Sequence, residues 1–130
     1  VVEVDEVNGP DHCLLIQIIC ILFEQQQAQE GHPLTVAHYD MRFLKPLDEN
    51  ILHEVGTHFS RIITIEDGVV RGGLGSAVLE YMSDHGFFPK VTRMGLHDYF
   101  VEHGTVEQLR QIVGIDQDAI VSQLRSISQK

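Results

Sequence analysis

The sequence predicts an α/β fold with three layers, in which an open, mostly parallel sheet of about five strands carries helices on both faces. Two observations lead to this prediction. Short runs rich in β-branched residues alternate along the chain with segments whose apolar residues recur at helical spacing. Strands that are separated by helices favour a parallel sheet covered on both sides. A length of 130 residues, 43% of them hydrophobic, indicates one domain that spans residues 1–130.

The first third of the chain is expected to provide strands around one helix. A turn signal at residues 8–10 precedes a predicted first strand near His12–Ile18, and a helix then continues to about Glu30. Residues 34–39 are rich in strand formers and predict the second strand. Val1–Val7 alternates apolar and acidic residues, so it is a candidate for an extra edge strand.

The middle of the chain predicts two more helices around a strand. Asp48 can cap a helix whose apolar face carries Ile51, Leu52, Val55 and Phe59. Arg61–Glu66 is the predicted third strand. A glycine-rich turn follows it, and an apolar stripe from Leu74 to Met82 then predicts a helix that ends at Gly86.

The last third predicts a strand and two helices. Lys90–Met94 is the predicted fourth strand. Thr105 and Gln108 have the spacing of a capping box, which marks the start of a helix that Gly114 ends. Asp116 can then cap a final helix.

Charge and cysteine content restrict the classes of partner. The formal net charge of -10 provides no basic surface for nucleic acid or for an anionic membrane. The apolar run Cys13–Phe23 is too short to span a bilayer. Cys13 and Cys20 match neither a redox pair nor a zinc ribbon, so two buried thiols in a reducing compartment, the cytoplasm, are expected.

A histidine pair resembles a zinc-binding helix without matching it. His53 and His58 are five residues apart, whereas ligands four apart share one helix face. At five residues the second ring lies about 140° around the helix, given 3.6 residues per turn. We therefore assign no metal ligand here.

Two other segments are candidate sites. The turn that contains Gly72, Gly73, Gly75 and Ser76 leaves backbone amides at a helix start, which suits an anion, although its glycines also suit tight turning and packing against a neighbouring domain. The polar and aromatic segment 97–103 could form a metal or acid–base site. The favoured interpretation is an interface loop, with Leu96, Tyr99 and Phe100 as the contact residues.

Three blocks in one order carry a family resemblance. They are Asp40-Met-Arg-Phe-Leu-Lys-Pro-Leu-Asp48, then Thr64-Ile-Glu-Asp67 with Gly72-Gly-Leu-Gly-Ser76, then Met94-Gly-Leu-His-Asp-Tyr-Phe100 with His103-Gly-Thr105. Together they resemble the C-terminal domain of 1-deoxy-D-xylulose-5-phosphate synthases, a branch of the transketolase family. The first block is typical of this branch, whereas the related β subunits of 2-oxo acid dehydrogenases usually have D-L-R-x-x-x-P-L-D.

The resemblance implies a parent enzyme that joins pyruvate to glyceraldehyde 3-phosphate with loss of CO2, a step in isoprenoid precursor synthesis. It implies thiamine diphosphate and Mg²⁺ bound outside this chain. The family's G-D-G motif with a later Asn is not matched, since only Glu66-Asp67-Gly68 is similar and both Asn residues precede it. No catalytic, cofactor-binding or metal residue is therefore assigned to this chain.

Within that family the domain is expected to be structural, to pack against the remaining domains and to support a homodimer, with no activity of its own. Arg42 and Lys45 are expected to form ion pairs with Asp40 and Asp48. Two alternatives remain open. One is the same domain of a related enzyme such as a 2-oxo acid dehydrogenase β subunit, and the other is a free-standing α/β module that binds a small anion at Gly72–Ser76.

Overall fold

The fold is an α/β/α sandwich around a short parallel sheet. A computed structural model describes residues 2–4, 10–32 and 34–128, with side chains from Ile18 onward. The strands are β1 (Val2–Val4), β2 (Tyr39–Asp40), β3 (Arg61–Val69) and β4 (Lys90–Leu96). The helices are α1 (Pro10–Gln29), α2 (Glu49–His58), α3 (Leu74–Asp84), α4 (Val106–Val113) and α5 (Gln117–Ser128).

The sheet has the order β2-β1-β3-β4, and all of its described pairings are parallel. The predicted fold class is thereby confirmed, with four strands in the described part of the chain where about five were expected. The stretch Val1–Val7 was predicted as an edge strand. Its described part, Val2–Val4, instead lies inside the sheet between β2 and β3, while residues 1 and 5–7 lie outside the described residues.

The predicted strand at His12–Ile18 is wrong, because α1 begins at Pro10 and runs unbroken for 20 residues. A continuous apolar run does not distinguish a buried strand from a buried helix, and here the length of the run favours the helix. Proline suits the first helical position, because an amide there would have no carbonyl partner within the helix. Ile19, Cys20 and Phe23 are buried, with Cys20 as a thiol in the core.

The predicted second strand at residues 34–39 is shorter than expected, since only Tyr39–Asp40 is in the ladder. Its neighbour β1 has only three residues, and pairs Val2 with Tyr39 and Glu3 with Asp40. The amide of Val36 donates instead to the Glu24 carboxylate of α1. The ladder is therefore short, because its partner strand has only three residues and because the Val36 amide bonds to a side chain.

Two apolar cores lie on opposite faces of the sheet. Alternate residues of β3 point to opposite sides, so Ile63 and Ile65 enter one core and Ile62 the other. The first core holds α1 and α5 through residues that include Phe23, Ile120 and Leu124. The second holds α2 and α3 through residues that include Leu52, Val55, Leu74, Val78 and Met82.

The predicted helix ends at Asp48, Thr105 and Gly114 are confirmed. Oδ1 of Asp48 accepts from the amides of Asn50 at 3.0 Å and Ile51 at 3.1 Å. Thr105 forms the reciprocal capping box that starts α4, and Gly114 ends that helix in the left-handed region with φ 73°. In the described part of the chain, no helix is both long enough and apolar enough to cross a membrane.

Candidate docking site at the carboxyl edge of the sheet

Three loops leave the same edge of the sheet. Residues 41–48 follow β2, residues 70–73 follow β3 and residues 97–105 follow β4. The carboxyl ends of parallel strands share one edge, which in open α/β sheets is the usual position of a site. The sequence blocks that carry the family resemblance therefore come together in space.

The charged block after β2 is held by its own side chains. Nε of Arg42 lies 3.0 Å from Oδ2 of Asp40, and the Arg42 amide donates to Oδ1 of the same carboxylate. This confirms the predicted ion pair of Arg42. Asp48 caps α2 instead of pairing with Lys45, and none of the ion pairs within the described residues includes Lys45.

Tyr39, the first residue of the two-residue strand β2, donates from its hydroxyl to Oε1 of Glu54 at 2.8 Å. Partial burial raises the pKa of the Tyr39 hydroxyl, and the hydrogen bond to Glu54 and the negative charge of Glu54 raise it further. This contact ties the first of the three loops to α2.

Glu66, near the end of β3, is a buried carboxylate that caps α3. Only 6% of its surface is exposed. Its Oε2 accepts from the amide of Leu74 at 2.7 Å, and its Oε1 accepts from the amide of Gly75 at 3.1 Å. The start of a helix is electropositive and has unpaired amides, so it favours an anion. Here the chain's own carboxylate provides that anion.

The glycines of the turn allow this close approach. A Cβ on Gly73 would overlap the Glu66 carboxylate, and a Cβ on Gly75 would lie 2.7 Å from Cγ of Arg93. Gly72 has a φ of 77°, a conformation that glycine adopts without strain. Gly73 and Gly75 therefore serve packing within the domain, and their proposed interface or anion role stays a prediction.

Gly95, on the neighbouring strand β4, leaves space for the Glu66 side chain. Ile65 pairs with Met94, and Val69 pairs with Leu96. The single residue Gly95 therefore lies opposite three residues of β3, Glu66, Asp67 and Gly68, which form a β-bulge. A Cβ on Gly95 would lie 2.8 Å from Cγ of Glu66. The bulge and this glycine together direct the Glu66 side chain to α3.

Ser76 connects the turn to β4. Its Oγ accepts from the Gly72 amide at 2.9 Å and donates to the Val70 carbonyl at 3.0 Å. Nη1 of Arg93 donates to that same carbonyl at 2.9 Å and to Oγ of Ser76 at 3.2 Å. The predicted site residue Ser76 is thus a hydrogen-bonding centre of the turn.

The end of β3, the turn and the loop after β4 carry exposed side chains that are called here the docking surface: Val69, Arg71, Asp98, Tyr99 and Phe100. Phe100 is fully exposed, and Val69 and Tyr99 keep 57% and 50% of their surface accessible. Nη1 of Arg71 lies 3.9 Å from Oδ2 of Asp98, which joins the turn to the loop. Leu96, also predicted as a contact, packs partly buried against the first core, and its interface role stays a prediction.

A cavity of about 470 Å³ lies behind this loop. Apolar residues of β4, the following loop and α4 line most of it, and its polar members are Asp67, Glu102, His103 and Arg110. Nε of Arg110 is buried and has no hydrogen-bond partner among the described residues. Such groups are rare in folded proteins, because burying an unpaired donor costs free energy.

The histidines of α2 have structural contacts. Nδ1 of His58 lies 2.9 Å from the Glu54 carbonyl oxygen, and the His53 ring meets the Phe87 ring edge-on at 5.1 Å. Within the described side chains, no group of three or more His, Cys, Asp or Glu could hold a metal ion. Glu66-Asp67-Gly68, the segment nearest to a diphosphate motif, already has its glutamate committed to α3.

Comparison with known proteins agrees with this geometry. The model of the family "Transketolase, C-terminal domain" matches residues 23–120. The 1-deoxy-D-xylulose-5-phosphate synthase of Bacteroides thetaiotaomicron is 58% identical over 98 residues, which cover 75% of this chain and 15% of that protein. The synthase of Carboxydothermus hydrogenoformans is 42% identical over 106 residues, or 82% of this chain and 17% of that protein.

A solved structure described as a split gene transketolase, inactive beta4 tetramer, superposes with a TM-score of 0.72 at 26% identity, over 96% of this chain and 37% of that one. The chain belongs to the transketolase C-terminal domain family. It spans about 15% of the length of the curated Bacteroides synthases that it matches.

Proposed function

We propose that this chain is the C-terminal domain of a 1-deoxy-D-xylulose-5-phosphate synthase and that it works by docking to the rest of that enzyme. The observation that carries the proposal is 58% identity to the Bacteroides thetaiotaomicron synthase over 75% of this chain but only 15% of the relative. The parent enzyme would join pyruvate to glyceraldehyde 3-phosphate in the cytoplasm, with thiamine diphosphate and Mg²⁺ held by its other domains.

The identity of the relatives favours this synthase over a 2-oxo acid dehydrogenase β subunit. Relatives from Bacteroides, Parabacteroides and Phocaeicola that are 52–58% identical are all named 1-deoxy-D-xylulose-5-phosphate synthase. The block Asp40–Asp48 also has the form typical of that branch. A homodimer of the parent enzyme remains part of the proposal.

The exposed aromatic residues support a docking role. Tyr99 and Phe100 place apolar surface in water beside the charged pair of Arg71 and Asp98. An apolar centre with polar residues around it is the usual composition of a protein interface. Most of the length of the matched synthases lies outside this chain, so the proposed occupant is the remainder of the same enzyme.

The capping of α3 by Glu66 weighs against a free-standing anion-binding module. A phosphate ion would have to displace a buried carboxylate from the amides of Leu74 and Gly75. We expect a phosphate titration to leave the amide resonances of Gly73 and Gly75 unchanged. Saturable shifts at those amides would support the module instead.

Calorimetry of the isolated chain tests whether the cofactor binds only to the other domains of the enzyme. We expect no heat of binding when thiamine diphosphate and Mg²⁺ are added, and no CO2 release from pyruvate and glyceraldehyde 3-phosphate. The intact Bacteroides thetaiotaomicron synthase is the positive control. Tight cofactor binding by the 130-residue chain would contradict the proposal.

Arg110 suggests a second role for the domain, in which this side chain contributes a positive charge to a site shared with the rest of the enzyme. Arg110 is a cation in the lining of the 470 Å³ cavity, and both proposed substrates are anions. In an enzyme reassembled from this chain and the remaining domains, Arg110→Met should raise a substrate KM about tenfold, the effect of losing about 1.4 kcal/mol of binding. Arg125→Met, at an exposed position on α5, is the matched control. An unchanged KM for both substrates would rule out this role.

A further inference from the structure

We propose that Glu66 is a positioning residue: its buried carboxylate fixes the glycine-rich turn and the loop after β4 relative to each other, so that the docking surface is formed before any partner binds. The proposal rests on the proposed function, because the docking surface matters only if the remainder of the enzyme binds there. Glu66 itself is buried and would touch no partner.

The carboxylate reaches the turn through two amides. Leu74 and Gly75 are the first residues of α3 and both donate to Glu66. The N-cap residue of α3 is Gly73, which has no side chain with which to cap the helix. Arg71 of the docking surface lies only three residues before Leu74, so the position of its backbone depends on how the helix begins.

The same side chain reaches the loop through β4. Gly95 packs directly against Glu66, and the Leu96 carbonyl then accepts from the amide of Val70 at 2.9 Å. His97 follows at once and begins the loop that carries Tyr99 and Phe100. Both halves of the docking surface are therefore anchored within a few residues of one carboxylate.

A carboxylate suits this position better than its amide analogue. It offers an acceptor to each of the two amides, and charge-assisted hydrogen bonds of this kind are stronger than neutral ones. A glutamine offers one oxygen, and its NH2 group would face the second backbone donor. Removal of the acceptor would leave two buried amides unpaired, and the turn would rearrange to expose them to water.

The expected consequence concerns binding more than folding. A surface held in its bound geometry does not have to be ordered when the partner arrives, and this ordering otherwise weakens association. Loss of Glu66 should thus weaken docking even though every residue of the docking surface is kept. A residue important only for stability would not have this effect while the domain stays folded.

The test measures association of the 130-residue chain with the Bacteroides thetaiotaomicron synthase truncated to remove the region that this chain matches. Glu66→Ala should raise the Kd at least about tenfold at a temperature where the variant is folded. It should also shift the Phe100 amide resonance, although Phe100 lies five residues beyond Gly95, the residue that packs against Glu66. Added acetate should partly reverse both effects in Glu66→Ala and leave the wild-type chain unchanged, because a free carboxylate can occupy the vacated position.

Two controls separate positioning from general effects. Phe23→Leu shortens a buried core side chain of α1 near the amino end of β3 and lowers stability away from Glu66, so it should leave the Kd unchanged. Glu66→Gln keeps the side-chain volume and provides the same comparison should Glu66→Ala fail to fold. A folded Glu66 variant with wild-type Kd and an unmoved Phe100 resonance would overturn the proposal, whereas failure of the wild-type chain to associate would refute the proposed function instead.

Discussion

Leu74 donates its backbone amide to Oε2 of Glu66 at 2.7 Å, across eight residues of sequence. A strand residue thereby caps the helix that follows it, in the position where a serine or aspartate next to the helix would normally act. The arrangement needs a glycine at the N-cap and another on the neighbouring strand, and the chain has Gly73 and Gly95 there. The glycines therefore leave the space that the buried carboxylate of Glu66 occupies.

Enlarging Gly95 should destabilise the domain. A methyl group at this position would lie 2.8 Å from Cγ of Glu66 and 2.9 Å from the carbonyl oxygens of Glu66 and Gly68. Overpacking of this kind typically costs about 1–3 kcal/mol, which we expect Gly95→Ala to show in urea unfolding. Gly68→Ala lies in the same bulge but meets nothing closer than 3.8 Å, so it should cost clearly less. Equal losses for the two variants would argue against the proposed packing.

Exposed aromatic residues at opposite ends of β4 allow a matched test of the docking surface. Phe100 is fully exposed beyond the carboxyl end of this strand, and Phe88 is 92% exposed before its amino end. Both Phe→Ser variants should keep their stability within about 0.5 kcal/mol, as is usual for surface positions. Calorimetric titration with the truncated synthase should show at least about a tenfold loss of affinity for Phe100→Ser alone. Equal affinities for the two variants would place the interface elsewhere.

The capping box of α4 should contribute measurably to stability. Oγ1 of Thr105 accepts from the Gln108 amide at 3.3 Å, and Oε1 of Gln108 accepts from the Thr105 amide at 2.9 Å. Thr105→Ala should cost about 1 kcal/mol in thermal or urea unfolding. Ser122→Ala, at an exposed position inside α5, is the control and should change stability by less than about 0.5 kcal/mol. A loss at Ser122 as large as that at Thr105 would contradict this account.

Tyr39 should make stability sensitive to alkaline pH. Burial and Glu54 raise the pKa of its hydroxyl in the folded state, so the neutral form is favoured by folding. This contribution is fully present below the unfolded tyrosine pKa of about 10 and is lost as pH rises through the higher folded pKa. The stability advantage of the wild-type chain over Tyr39→Phe should therefore shrink above pH 10 in urea unfolding curves. An advantage that stays constant or grows from pH 9 to 11 would contradict the assignment.

Features that depend on neighbouring residues were predictable from the sequence. Asp48, the pair Thr105 and Gln108, and Gly114 mark helix ends through contacts that span at most a few residues, so their sequence patterns predicted them correctly. The apolar run at the start of α1 was ambiguous because buried strands and buried helices share that composition. Whether such a run forms a strand or a helix depends on which of the two elements the rest of the fold can accommodate.

The role of Glu66 could not be predicted from local patterns. Its effect arises from a bulge that sets three residues of β3 against Gly95, which is a property of strand pairing. The repeated glycines at 72, 73, 75 and 95 were the available signal, since they mark places where backbone or side chains approach closely. Arg110 was missed for a similar reason, because only the packed structure shows its Nε to be buried without a partner.

Reassembly of the enzyme from two chains tests the central claim most directly. The Bacteroides thetaiotaomicron synthase without its matched C-terminal region is mixed with this chain, and formation of 1-deoxy-D-xylulose 5-phosphate from pyruvate and glyceraldehyde 3-phosphate is measured. The relative's own C-terminal region, added as a separate chain, provides the reference. We predict that this chain restores activity saturably and that Phe100→Ser reduces the restoration. No activity with this chain, under conditions where the relative's own region restores it, would contradict the account.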